Sequence, residues 1–465
     1  MKNITIDNLI KVLDAKYIGP EDRRAIEATC IDTDSRKIEK DGIFVALVGE
    51  RVDGHDFVKD VLSKGALCCI VEKEIEGAEG LIVVDSCADA LRKMAAFYLE
   101  QMNIPVVGIT GSVGKTSTKE MIASVLSNRY KVHKTAGNFN NEIGLPLTVF
   151  GIRDEHEIAV LEMGISDFGE MDRLSDIAKP DVMVITNIGP CHLEFLGDLD
   201  GVFKAKTECF NHLKNNALVV LNGDDEHLKT VKASDIKDAK NVEVMFYGKD
   251  DEDNENAYAS EIHLAGVRGA EIKGTLNGNA FSLKEPLPGE HNVWNVLAAL
   301  LVGSHFGMTM EEMKQGVLDV PVMPGRNHLI NCGDLTVFDD CYNANPASMK
   351  SSLAVLSQEP GRTVAILGDM GELGENKEAL HLEVGTYAAK ADVDLVYTVG
   401  ELSLYIAQAI RKENLSVKVR SFDTKEDLYP VLKKEIKSGD TILVKASHFM
   451  KFEEIVKFLE DNYRD

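Results

Sequence analysis

Residues 105–118 read PVVGITGSVGKTST, and their order decides the fold. An apolar, β-rich run enters, glycines make a turn, and a helix-forming stretch leaves from Lys115. Backbone N–H groups in such a turn point inward and cradle phosphate oxygens, aided by the helix N-terminus. The pattern sought is G-x-x-x-x-G-K-[ST]. Here Ile109 stands at the first glycine position and Gly108 falls one residue early, so the spelling fails by one residue. Gly111, Gly114, Lys115 and Thr116 keep the cradle. Gly108, Thr110, Ser112, Val113 and Ser117 complete the candidate nucleotide site. Lys115 would reach the β- and γ-phosphates of ATP, and the Thr116 hydroxyl would ligate Mg2+.

Further β-rich runs follow at 158–162 (IAVLE), 182–186 (VMVIT) and 217–221 (ALVVL). A second set lies at 335–339, 363–367, 395–399 and 441–445, with helical stretches such as 115–128 and 292–306 between the runs. This alternation is the signature of parallel sheets covered by helices, so the class is α/β. Almost every run ends in a polar or glycine-rich cluster: EMGISDFGE, TNIGPCHLE, NGDD, DDCYNANP, LGDMGELG and KASHFMK. Ligands of open parallel sheets bind beyond the carboxyl ends of the strands. Two sets of runs imply two α/β domains. The first 85 or so residues, with GIFVALVG (42–49) and CCIVEK (68–73), read as a smaller α/β domain. VPVMPGRNH (320–328) marks the second boundary. The expected division is a small N-terminal substrate domain at 1–85, a central ATP-binding domain with a parallel sheet at 86–320, and a C-terminal Rossmann-like domain at 321–465. The charged stretch KDDEDNENAY (249–258) reads as a solvated loop.

Bulk properties bound the function. A chain of 465 residues holds two to four domains, and 44% hydrophobic residues suffice for a sizeable core. No apolar run approaches the roughly 20 residues that span a bilayer. The start, MKNITIDNLIKVLDAKYIG, lacks the apolar run and cleavage site of a signal peptide. A cytoplasmic protein without stable membrane insertion is expected. The eight cysteines form no C-x-x-C pair, which argues against a zinc or redox motif and for reduced, buried thiols. A formal charge of -25 disfavours nucleic acid as a partner. Anionic small-molecule ligands would then need positive charge concentrated at the site.

Several side chains are placed to supply it. Glu162 ends a β-rich run, where a carboxylate can hold Mg2+ opposite Thr116, although a lone Glu there also reads as a surface residue. His192 follows another run and can ligate a metal, position a phosphate or serve the structure. Lys206 in VFKAKTECF reads, by itself, as a solvated helix lysine. Asn292 and Asn295 open a helix; their amides can satisfy both edges of adenine, or Asn292 is an N-cap. Arg326 in MPGRNH could grip a γ-phosphate bidentately, and Asp340 could bind ribose hydroxyls.

The combination GITGSVGKTSTKE, TAGNFNNEIGLPLT, EMGISDFGE, ITNIGPCHLEFLG with AKTE, GEHNVWNVLAA and PGR resembles the Mur ligase family, over residues 30–455. Within that family, the segments at 32–57, 339–349, 367–385 and 444–456 are similar to the member that adds D-alanyl-D-alanine. The resemblance implies an ATP-dependent amide ligase with two Mg2+ ions. Lys115, Glu162, His192 and Lys206 would be its catalytic set, Thr116 and Glu162 on one ion, His192 and Lys206 on the other. Lys206 would be N-carboxylated. Ser35, Arg36, Asn138, Asn140 and Asn141 would hold UDP-MurNAc-tripeptide, and Tyr342, Asn343 and Asn345 would lie where ATP and D-Ala-D-Ala meet. A monomer is expected, serving peptidoglycan synthesis. Two departures stand out. Lys445-Ala446-Ser447-His448 replaces the family's usual K-G-S-R, and Cys341 replaces a small hydroxyl residue. Other readings are another amide ligase of this or the folylpolyglutamate type, a P-loop NTPase switch, and a nucleotide-binding module that has lost catalysis.

Overall fold

The computed structural model describes residues 1–49, 51–249, 256–414 and 416–464. Most of the charged stretch expected to be a loop, 250–255, lies outside the described residues, and its last two residues open a strand. The chain forms two compact units. The first comprises Met1–Lys119, Leu126–Ile188 and Phe203–Met245; the second comprises Glu120–Val125, Gly189–Val202 and Phe246–Asp465. Among the described residues, no helix is long and apolar enough to cross a membrane. None of the eight cysteines forms a disulfide, and six are buried.

The first unit holds a sheet of short strands in the order Lys16–Ile18, Leu81–Val83, Cys68–Val71, Ile43–Val45 and Ile31–Asp32, antiparallel only at its first pair. Cys68–Val71 is buried throughout, as a strand covered on both faces must be. Phe44, Val58, Val61, Cys69 and Leu81 pack together beside it.

A second set of strands in the same unit is parallel, in the order Leu218–Asn222, Val182–Ile185, Val106–Thr110, Ile158–Glu162 and Val132–Lys134. The strand Val106–Thr110 is paired on both sides and all five of its residues are buried, which explains its unbroken apolar run. Later strands fall on both sides of it. The order therefore switches at the strand that feeds the glycine turn, and a crevice opens at such a switch point.

The second unit contains a six-stranded sheet: His328–Cys332, Leu335–Asp339, Thr441–Lys445, Thr363–Gly368, Leu395–Val399 and Lys418–Phe422. Only the first pair is antiparallel. Val337, Ile366 and Val444 pack on one face, and Phe338, Leu367 and Leu443 on the other, as the two-residue period requires.

The same unit also contains an antiparallel meander, Ala257–Leu264, Ala270–Leu276 and Asn279–Glu285. Residues 86–320 thus add an antiparallel meander to the parallel strands expected there. The last two strands alternate buried and exposed residues and are joined through Asn277 and Gly278, both at positive φ. Asn-Gly is the favoured pair for that tight turn.

Candidate active site

The glycine turn of the first unit is set by sterics. Gly111 has φ +149°, and a Cβ there would lie 1.9 Å from the Thr186 hydroxyl, so only glycine fits. Gly114 sits at φ 81°, just before the helix Lys115–Ser127. Neighbouring strand ends brace the turn. Ser112 N–H donates to the Asn187 carbonyl (3.0 Å) and Val113 N–H to Asn187 Oδ1 (3.0 Å). The Val113 carbonyl accepts from the Thr186 hydroxyl (2.6 Å) and from Asn187 Nδ2 (3.0 Å). Thr110 donates its hydroxyl to the Met163 carbonyl (2.8 Å). The Lys115 ammonium donates to the Gly111 carbonyl at 2.8 Å, directly over the turn. First-turn amides of the helix have no acceptor within it and point the same way.

Gly108 needs correcting. It lies within the strand, where a Cβ would meet Met163 at 2.7 Å and Met183 at 3.0 Å. Its smallness serves packing behind the turn, not the phosphate cradle. Ile109, also in the strand, is fully buried, which accounts for the failed spelling of the motif.

Glu162 closes its strand almost fully buried, at 1% exposure. Its Oε1 accepts from the Thr116 hydroxyl (3.2 Å) and from Asn140 Nδ2 (2.8 Å), and its backbone N–H donates to Thr135 Oγ1 (2.9 Å). Glu162 Oε2 is buried and has no hydrogen-bond partner among the described residues. The fully buried Lys119 ammonium lies 3.9 Å from it and donates to the Thr135 carbonyl (2.7 Å). A buried carboxylate oxygen without a hydrogen-bond partner, beside a threonine hydroxyl, fits a hard divalent cation. Among the described residues, no cluster of three or more His, Cys, Asp or Glu forms a ready-made metal cage. Mg2+ does not require one, because it takes few protein ligands and completes its shell with phosphates and water.

Lys206 is 1% exposed, which overturns the solvated-lysine reading. Removing an ammonium from water is expensive unless it is paired or modified. His192 sits at φ 51° before the short helix Leu193–Leu196, a conformation uncommon outside glycine. It belongs to the second unit and Lys206 to the first.

The remaining candidates of the first unit separate by role. Asn141 Oδ1 accepts from Ile143 N–H (3.2 Å) and Gly144 N–H (2.8 Å), so it braces the turn that leads into the helix Gly144–Phe150. Asn138 is exposed. Ser35 is half-buried, and Arg36 is exposed and forks onto Asp34 at 2.7 and 2.9 Å. The guanidinium holds the Asp34 carboxyl well below the usual range. Glu142 accepts from both Arg92 and Arg173. Burial works to raise its pKa, but the two guanidiniums bring it below the ordinary value.

In the second unit, Asn292 is fully buried inside the helix His291–His305. Its Nδ2 donates to the Pro288 carbonyl (2.9 Å), and its Oδ1 accepts from Asn295 Nδ2 (2.7 Å). The cap position belongs to Glu290, so Asn292 is no N-cap. Burial lowers the pKa of the neighbouring His291, whose Nδ1 lies 2.8 Å from the Ser351 hydroxyl.

Arg326 stacks over the Tyr342 ring at 4.1 Å, and His448 lies tilted against the same ring, centroids 5.5 Å apart. The Arg326 guanidinium makes no hydrogen bond or ion pair among the described residues, and stacking fixes its plane for an anion. Asp340 differs from expectation. Its Oδ1 accepts from Asn327 N–H (3.2 Å), and its Oδ2 from the Ser352 hydroxyl (2.6 Å) and the buried Lys445 ammonium. Both oxygens are engaged internally, so Asp340 anchors its loop rather than offering a ribose site. Lys445 also donates to the Asn343 carbonyl (3.2 Å). Asn345 is the N-cap of the helix Pro346–Leu356, its Oδ1 accepting from Ser348 N–H (2.9 Å). It too serves the backbone, not a ligand.

Lys119, Thr135, Thr186 and Asn187 were not singled out in the sequence. Lys119 alone had a local signal, three residues after Thr116 and hence on the same helix face.

Models of three domains match the chain: "Mur ligase family, catalytic domain" at 27–110, "Mur ligase middle domain" at 109–303, and "Mur ligase, glutamate ligase domain" at 325–448. The UDP-N-acetylmuramoyl-tripeptide–D-alanyl-D-alanine ligase of Bacillus subtilis is 36% identical, over 98% of this chain and 98% of its own. A crystal structure of MurF from Acinetobacter baumannii superposes with a TM-score of 0.88, at 31% identity and 98% coverage of both chains. MurF ligase from Thermotoga maritima in complex with ADP gives 0.83, at 30% identity, covering 93% of this chain and 97% of that one. Three matches in family order and end-to-end identity show that the chain belongs to the Mur ligase family.

Proposed function

We propose that this chain is the ATP-dependent ligase that joins D-Ala-D-Ala to UDP-MurNAc-tripeptide, giving UDP-MurNAc-pentapeptide for peptidoglycan synthesis in the cytoplasm. The observation that carries the substrate assignment is the near-complete match to ligases of that name, 36% and 34% identical over 98% and 99% of this chain. The glycine turn with its buried carboxylate supports the ATP chemistry. We further propose that the chain acts as a monomer, divided at about residues 85 and 320.

A carboxylate resists amines because resonance and negative charge make it a poor electrophile. A tripeptide carboxylate oxygen attacks the γ-phosphorus of ATP, ADP leaves, and an acyl phosphate forms. The amine of D-Ala-D-Ala then attacks the acyl carbon, and phosphate leaves with that carboxylate oxygen. Two anions must meet in the first step. The turn amides and Lys115 would supply fixed positive potential at the γ-phosphate, and Arg326 of the second unit remains a candidate for an anionic group. Thr116 and Glu162 would hold Mg2+, which would neutralise phosphate charge, and a carboxylated Lys206 is the candidate ligand of a second ion. Asn140 orients Glu162. Arg36, Ser35 and Asn138 remain candidates for the UDP-substrate, and Tyr342 and Asn343 for the dipeptide.

Labelling the tripeptide carboxylate with 18O tests this route. One labelled oxygen per turnover should appear in the released phosphate. Unlabelled phosphate alongside product would rule out the acyl phosphate.

A further inference from the structure

The loop leading into the helix Gly144–Phe150 carries three adjacent polar residues that face three different partners. Asn140 donates to Glu162 Oε1, Asn141 accepts from the Gly144 N–H, and Glu142 accepts from two arginines. Arg92 comes from the helix Cys87–Met102, and Arg173 from the helix Glu170–Ala178. Arg173 grips both carboxylate oxygens, through Nε to Oε1 and through Nη2 to Oε2 at 3.1 Å. Arg92 is itself steadied by Asp89.

Little slack remains on the far side of the loop. Gly164 N–H donates to the Asn140 carbonyl at 2.8 Å, and a Cβ on Gly164 would lie 3.0 Å from the Asn140 amide. A Cβ on Gly144 would lie 2.5 Å from the Phe139 backbone. Two helices thus hold the loop through one carboxylate, two residues from the amide that touches Glu162. A forked guanidinium fixes direction as well as distance, which a single ammonium does not.

We infer that Glu142 is a positioning residue for the ligase: the Arg92–Glu142–Arg173 clamp sets the loop so that Asn140 holds Glu162 Oε1 and leaves Glu162 Oε2 for the divalent cation. This rests on the reading of Glu162 as a metal ligand. Glu142 bonds Arg92 and Arg173 rather than Glu162, and acts through Asn140.

The test is Mn2+ binding in the presence of ADP, read from the EPR signal of free Mn2+, beside the melting temperature of the nucleotide-free protein. Glu142→Gln keeps the shape and removes the charge; it should raise the apparent Mn2+ Kd about fivefold to tenfold, as loss of one ordinary orienting hydrogen bond implies. Arg173→Gln retains the Arg92 tie, should fold even where Glu142→Gln does not, and should raise Kd about threefold. Asn140→Ala should raise Kd as much as Glu142→Gln, and the double variant no further, because both act on one bond. A lowered melting temperature with unchanged Kd would make Glu142 merely structural and overturn the proposal. Multiplicative effects in the double variant would overturn it as well. Wild-type protein that binds no Mn2+ with ADP would overturn the metal reading, a failure distinct from wild type and variants binding alike.

Discussion

Gly111→Ala tests the phosphate turn at its tightest point. The new Cβ would stand 1.9 Å from Thr186 Oγ1 and 3.1 Å from the Thr186 backbone nitrogen. Thr186 is no free rotor, since its hydroxyl donates to the Val113 carbonyl at 2.6 Å and holds the turn. Relieving the clash therefore breaks that brace, a loss of about 1 kcal/mol. Alanine at φ +149° adds backbone strain of about 1–3 kcal/mol. If the turn absorbs both, ATP affinity falls by about 2–4 kcal/mol, or roughly thirty- to eight-hundred-fold. Calorimetric titration with ADP and Mg2+ measures this directly, with circular dichroism showing that the fold persists. Thr186→Gly in the Gly111→Ala background removes the obstructing hydroxyl and should recover about tenfold, although Thr186→Gly alone weakens binding. Wild-type affinity in Gly111→Ala would refute the steric reasoning.

Three further outcomes follow from buried charge. Burial pushes the Glu285 carboxyl from 4.5 up to about 8. The folded state then keeps a proton that the unfolded chain has lost between these values, so stability falls as pH rises from about 4.5 to 8 and levels off above. That difference caps the loss at about 5 kcal/mol. Urea unfolding of Glu285→Gln at pH 6, 7 and 8 should show a slope smaller by about 1.4 kcal/mol per pH unit, and an unchanged slope would remove Glu285 from this role. Lys445→Met leaves the half-buried Asp340 carboxylate without its cation and should lower stability by about 2–3 kcal/mol, with Asp340→Leu on top restoring most of it; additive losses in denaturant titration would contradict a coupled pair. Lys206→Ala should abolish turnover, with partial return on adding a short carboxylic acid. Full activity without the acid would exclude a carboxylated lysine.

What could be read ahead of the structure was local chemistry. The turn at 111–116 and the strands that bear Glu162 and Asp339 follow from spacing within a dozen residues. Asn345 shows a signal misjudged: Asn before Pro346, with Ser348 three residues on, spells a helix N-cap, and the backbone takes the side chain. Gly108 shows an ambiguity, because glycine beside a turn can serve either the turn or the packing behind it. The hairpin at Asn277-Gly278 was legible from its turn pair and period-two flanks, yet the charged stretch before it drew the eye to a loop. Asn187, Thr135 and the Glu142 clamp could not be seen. Their partners lie far off in sequence and meet only once strands are ordered in a sheet.

The central claim is that ATP cleavage is tied to joining two acceptors. The direct measurement is phosphate release from ATP and Mg2+ with neither acceptor, with UDP-MurNAc-tripeptide alone, with D-Ala-D-Ala alone, and with both. Sustained release only when both are present, matched mole for mole by pentapeptide, is the predicted result. Release at the same rate with neither acceptor would leave the phosphate turn standing and contradict the ligase.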